Sequence, residues 1–199
     1  NRLLSSVISA YGEPNLKKSV NEKKDKNENL NQVNNTNYIL INDVNEIDEW
    51  INEAEEIGEI AVDTETDSLD PHQANLVGIS LCTKIGKACY IPVGHKSKAC
   101  LNRKDVLKKI KSLLEDTSIK KIGQNIKFDF IVLFKHGINI SSMEDTMLMS
   151  YVLDAGKNRH NMDTLSEIHL KHKTIAFKDL VGTGKKEINF REVDIEKAK

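Results

Sequence analysis

Glu59-Ile60-Ala61-Val62-Asp63-Thr64-Glu65-Thr66 is the stretch on which the fold turns. Its apolar, β-branched opening reads as a buried strand, and Asp67-Ser68-Leu69-Asp70-Pro71 behind it reads as a turn. Side chains two apart on a strand share a face, so Asp63 and Glu65 point the same way. Two neighbouring carboxylates at a strand end repel each other and are costly to bury unless a cation or a proton lies between them. A divalent metal ion resolves that conflict.

Upstream of this strand, Tyr38-Ile39-Leu40-Ile41 is a candidate strand. Asp43-Val44-Asn45-Glu46 resembles a capping box, and Val44, Ile47, Ile51 and Ala54 recur at helical spacing until Gly58. Downstream, residues 75–82 and 87–93 read as two strands joined at Lys84-Ile85-Gly86, completing an antiparallel meander with the carboxylate strand. Val106, Leu107, Ile110, Leu113 and Leu114 place a helix over 103–115, and residues 119–122 form a short strand. A further helix runs from about 126 to 136 and stops at Gly137. From Met143 onward the pattern is almost wholly helical, over 143–153, over 162–171 and again from about 193. Strands first and strand–helix alternation afterwards imply an α/β fold, a mixed sheet with helices packed on it.

The 199 residues are 39% hydrophobic and 30% charged, enough for one sizeable core with length left for a tail. Residues 1–36 shift to a Lys/Asn/Glu-rich composition that buries too little apolar area to offset the entropy of ordering, and they read as a flexible linker ahead of a domain over 37–199. A net charge of -1 exerts no global pull on nucleic acid or on an anionic membrane, so a polyanionic partner needs a local site where metal reverses the sign of clustered carboxylates. The three cysteines lack metal-ligand spacing and suit a reducing cytoplasm. No apolar run is long enough for a membrane span. Asn1 begins neither a signal nor a transit peptide, and the missing initiator Met suggests a piece of something longer.

Asn125 and Asp129 are four apart and would share one face of the helix beginning near Asn125. If the strand before that helix lies beside the carboxylate strand, Asp129 faces Asp63 and Glu65. Three carboxylates from two elements can hold one or two hard cations, Mg²⁺ or Mn²⁺ with Zn²⁺ admissible, leaving positions open for water and phosphate. Spacing alone also fits solvated surface charges. His169 and His172 read as surface residues, Gly182-Thr183-Gly184-Lys185 as a plain turn, and the Phe128-to-Phe134 run as core rather than a nucleic-acid platform.

Asp63-Thr64-Glu65-Thr66-Asp67-Ser68-Leu69, Asn75-Leu76-Val77-Gly78 and Gly123-Gln124-Asn125-Ile126-Lys127-Phe128-Asp129 together resemble the first two exonuclease motifs of the proofreading domain of bacterial family A DNA polymerases. Tyr90-Ile91-Pro92-Val93, Asp145-Thr146-Met147-Leu148, Arg159-His160-Asn161-Met162-Asp163-Thr164-Leu165 and Lys171-His172-Lys173-Thr174-Ile175 extend the likeness from about residue 37 to the end. The resemblance implies a ribonuclease H-like fold and 3′-to-5′ removal of nucleotides from a single-stranded DNA end with two divalent metal ions. It further implies a cytoplasmic, nucleoid-associated bacterial protein whose parent chain carries 5′-nuclease and polymerase domains. Carried over by position, Asp63, Glu65 and Asp129 are metal ligands and catalytic groups. Leu69 and Phe177 are apolar wedges against the terminal bases, and Thr66, Gln124, Asn125 and Arg159 are polar contacts to the terminal nucleotides. The family's third motif, Tyr-x-x-x-Asp, should fall just beyond Lys199, so little activity is expected of these 199 residues alone. The competing reading is a non-catalytic module that holds DNA ends or supports a polymerase.

Overall fold

The computed structural model describes residues 37–97 and 99–199; the linker expected over 1–36 lies outside the described residues. One six-stranded sheet organises them, with strand order β1-β4-β3-β2-β5-β6. The strands are β1 (Asn37–Leu40), β2 (Glu59–Thr66), β3 (Leu76–Lys84), β4 (Lys87–Pro92), β5 (Lys120–Gly123) and β6 (Met143–Asp145). The expected antiparallel meander is β2-β3-β4, and β1 closes one edge parallel to β4. On the other side β5 lies parallel to β2, and β6 lies parallel to β5.

Helix α1 (Ile47–Ile57) buries Ile47, Trp50, Ile51 and Ala54 and ends at Gly58, whose φ of 83° suits a residue without Cβ. Its start differs slightly from a full capping box. Asp43 accepts from the Asn45 N–H as expected, but Glu46 reaches back to the Asn42 N–H, and the first turn, Val44–Glu46, is a 3-10 turn. Helix α2 (Arg103–Glu115) buries the five apolar residues whose spacing marks it. Both helices feed the main core with the inward side chains of β2, β3 and β4.

Two expectations need correction. Residues 143–145 are not the start of a helix: they form β6, in register with Lys121, Ile122 and Gly123, and helix α4 (Thr146–Asp154) begins after them. Pairing to β5 overrides the weak strand propensity of Met-Glu-Asp. Helix α3 (Lys127–Phe134) begins beyond Asn125, which instead holds a left-handed φ of 58° in the turn leaving β5. Asn125 and Asp129 therefore do not share a helix face. Within α3, Val132 and Leu133 are buried and Phe128 and Phe130 pack on the core, whereas Phe134 is exposed and stacks on Phe130.

Helix α5 (Met162–Leu165) runs on through a π turn over Ser166–Leu170 to a left-handed Lys171, filling the helical span expected from the sequence. Helix α6 (Phe177–Val181), a 3-10 turn at Phe190–Glu192 and helix α7 (Ile195–Ala198) complete the chain. Val181, Phe190 and Val193 form a second small core with Val77. Among the described residues no helix is long and apolar enough to cross a membrane.

Candidate active site

The alternation along β2 sets the site. Ile60, Val62 and Thr64 are buried, while Asp63 and Glu65 are half-buried on the opposite face, each sharing its side of the sheet with its β3 partner, Ser80 or Gly78. Parallel pairing with β5 ends at Ala61–Ile122, so the Thr64 N–H on that edge lies past the last strand partner. Asp129, in the first turn of α3, replaces it: the Thr64 N–H and hydroxyl both donate to Asp129 Oδ1, the former at 2.8 Å. Asp129 is only 2% exposed, and its burial follows from completing the strand edge.

Burial raises all three carboxylates, and neighbouring charge adds to it at Glu65 and Asp129. Burial lifts Asp63 to about 6 against the pull of the Thr64 backbone N–H. Burial, then the charges of Asp63 and Asp129, lift Glu65 to about 7. Burial, then Asp63, lift Asp129 to about 7 against its hydrogen bonds from Thr64. Among the described residues none of the three has a cationic side chain at ion-pair distance. Nor do three His, Cys, Asp or Glu side chains among them already converge as a metal-binding group. The donor chemistry nevertheless fits a hard divalent cation: every donor is a carboxylate oxygen, and a nearby positive charge would reverse the cost that lifts all three.

Beyond the carboxylates a cleft of about 610 Å³ opens, lined on the β2 side by Glu65, Thr66 and Leu69 and on the other by Phe177, Ile188, Asn189 and Phe190. Leu69 is 92% exposed and Phe177 53% exposed, so both apolar side chains are presented to solvent at its rim. Phe177 stacks on the buried Phe190, ring centroids 5.9 Å apart and planes 9° from parallel. Asp67 fixes the turn after β2. Burial works against its charge, but hydrogen bonds from the Asn75 N–H and amide, with the Arg191 guanidinium nearby, hold its carboxyl below the ordinary range.

The structure thus brings Glu65, Thr66, Leu69 and Phe177 into one cleft, while Asp63 and Gln124 line a separate hollow of about 250 Å³ on the open sheet face. Gln124 is already occupied: its amide donates to His160 O at 2.7 Å and accepts from the Thr146 hydroxyl at 2.5 Å. Asn125 donates its backbone N–H to Asp145 Oδ1. Arg159 is exposed, and neither cavity reaches it. Sequence reasoning did not find Phe190, Ile188 and Asn189. Their only local signal is an apolar–polar–aromatic run after a glycine-rich turn, and what makes them part of the cleft is contact with a strand more than a hundred residues upstream.

A six-stranded mixed sheet, with two acidic residues near the end of β2 and a third in the helix that follows its parallel neighbour β5, is an α/β fold of the ribonuclease H-like class. Among solved structures, Brucella melitensis NrnC with bound Mg²⁺ shares this fold, with a TM-score of 0.53 and 23% identity over 70% of this chain and 62% of that one. A family profile described as 3′-5′ exonuclease, of the family A DNA polymerases, matches residues 38–193. The chain belongs to that exonuclease family. DNA polymerase I of Rhizobium leguminosarum is 43% identical over 182 residues, and that of Pseudomonas aeruginosa 41% identical over 167, each match taking in 81% of this chain. The chain spans 18% of the length of each of these relatives.

Proposed function

We propose that this domain removes nucleotides one at a time from a single-stranded or frayed 3′ DNA end, as the proofreading exonuclease of a bacterial polymerase carried on the same parent chain with a 5′-nuclease domain, in the cytoplasm at the nucleoid. The observation that carries the reading is the uncompensated cluster of Asp63, Glu65 and Asp129 beside a cleft whose rim is apolar. The three carboxylates would hold two divalent cations, Mg²⁺ or Mn²⁺, with Zn²⁺ also admissible. Held there, such ions would supply a lowered pKa for a bound water and charge neutralisation at the scissile phosphate. Water adds to phosphorus, the bond to the 3′ oxygen breaks, and the products are a nucleoside 5′-monophosphate and a shortened 3′ hydroxyl end.

The chain's own groups do the holding. Leu69 and Phe177 grip the terminal bases by contact that does not depend on sequence, as an end-trimming enzyme requires. Thr66 stands at the end of β2, where its hydroxyl, now bonded to Ser68 O, can turn to the terminal nucleotide. Among the described residues the side chains of Asn125 and the exposed Arg159 have no hydrogen-bond partner and can turn to the terminal nucleotides, whereas Gln124 would have to exchange an internal bond for a nucleotide contact.

One observation favours a non-catalytic DNA-end-binding module instead: no three metal-ligating side chains among the described residues are already gathered. Hydrolysis of a single-stranded oligonucleotide in Mn²⁺ by the polypeptide carrying this domain decides between them. Asp129→Asn should lower turnover by roughly a hundredfold or more if the carboxylates hold the ions. Unchanged turnover in that variant removes Asp129 from the site, and no hydrolysis by the wild type leaves the binding module as the reading.

A further inference from the structure

We propose that His95, together with Tyr90, is a positioning residue that fixes the base-stacking wall of the cleft; this rests on the nuclease reading above. His95 lies in the loop after β4 and is 6% exposed. Its Nε2 is 2.6 Å from the Tyr90 hydroxyl and its Nδ1 is 3.1 Å from Val193 O. A carbonyl can only accept, so Nδ1 carries the ring hydrogen and Nε2 accepts from Tyr90. Both ends of the imidazole are thereby fixed, and the bond to Val193 ties the loop to a segment 98 residues further along the chain.

The fixed ring bears on the wall directly. Its centroid is 5.8 Å from that of Phe190, which in turn stacks on Phe177. Phe190 is 4% exposed, so it is the inner plate, and the half-exposed Phe177 is the outer plate that a base would meet. The same stretch is stitched down on both sides: Arg191 Nε donates to Gly94 O, the Lys96 N–H donates to Arg191 O, and the Asn189 amide donates to Asp67 O. Tyr90 completes the link to the carboxylates. Its ring lies across Gly78, where a Cβ would come within 2.0 Å of the hydroxyl, and Gly78 is the cross-strand partner of Glu65. Glu65 on its cross-strand partner Gly78, Tyr90 across Gly78, then His95, Phe190 and Phe177 form one connected path from the acidic residues to the apolar rim.

A positioning role separates grip from chemistry. Binding of a fluorescein-labelled single-stranded oligonucleotide in EDTA and its hydrolysis in Mn²⁺ are measured on the polypeptide that carries this domain. His95→Ala should weaken binding and raise KM by roughly tenfold while kcat stays within about threefold. In His95→Gln the amide can still donate to Val193 and accept from Tyr90, and most of the grip should return. Combining His95→Ala with Phe177→Ala should cost no more than Phe177→Ala alone, because both act through one wall. Tyr90→Phe removes a single hydroxyl and covers the case in which His95→Ala does not fold; its KM should rise by about threefold. Binding by His95→Ala and Tyr90→Phe within about twofold of wild type, or additive losses in the double variant, overturns the positioning role while leaving the nuclease reading intact. A wild type that neither binds nor cuts the oligonucleotide overturns both.

Discussion

Replacing Asp129 by Asn keeps an oxygen for the Thr64 N–H and hydroxyl but takes away a charge that raises Glu65 and is itself raised by burial and by Asp63. The substitution expected to lower turnover should therefore leave the domain at least as stable as wild type, because under the proposed function ion binding and stability make opposite demands on the same carboxyl group. Glu53 shows the contrary case on the far side of the molecule. Hydrogen bonds from Lys84, then Lys87 and Thr83, hold its carboxyl at about 2 against an ordinary 4.5. A folded-state value below the unfolded one means a stabilisation complete above the ordinary value and lost as pH falls toward 2. Chemical denaturation of Glu53→Gln should accordingly show its full deficit relative to wild type near pH 6 and almost none near pH 2. A deficit independent of pH would mean that packing, and not charge, is what Glu53 contributes.

At the scale of elements, Asp145 joins three pieces of chain. It ends β6, and its Oδ1 accepts from the N–H groups of Met147 and Leu148 at the start of α4 and from Asn125 in the turn before α3. Asp145→Ala removes a helix cap and leaves a part-buried N–H without a partner, at a cost of about 2 kcal/mol. The expected result is a lower denaturation midpoint together with reduced turnover, since the same turn aims Asp129 at β2. The period-two pattern of β2 was readable because burial on one face dictates it, and it delivered Asp63 and Glu65 together. The helices α1 and α2 were readable from their apolar spacing. β6 was not, because Met-Glu-Asp has no strand preference and exists as a strand only against β5. The left-handed turn at Asn125 did leave a trace, since asparagine tolerates that conformation better than most residues, but a helix start fits the same letters. His95 and Phe190 carried no usable signal, for each acquires its role from a contact across the fold.

For the whole molecule, the sheet brings side by side two strands, Glu59–Thr66 and Lys120–Gly123, that two further strands and a helix separate in the sequence. β2 belongs to the antiparallel meander and β5 to the parallel half, and the acidic residues sit where the two regimes meet, Asp63 and Glu65 in the carboxyl half of β2 and Asp129 in the helix that follows β5. A cation bound there couples to global stability, since it binds only the folded arrangement. Thermal denaturation in Mn²⁺ at a hundred times its dissociation constant should show a gain of about 2.7 kcal/mol. The gain should shrink sharply in Asp63→Asn. An equal gain in wild type and variant would mean that the ion binds elsewhere.

The bond between Thr64 and Asp129 has one more consequence. An amide proton held by a carboxylate resonates according to that carboxylate's charge and partners, and this one belongs to the strand core rather than to a mobile loop. The Thr64 amide is therefore a native spectroscopic reporter: its chemical shift should track occupancy of the acidic cluster in a titration of uniformly nitrogen-15-labelled protein, with no substitution introduced at the site.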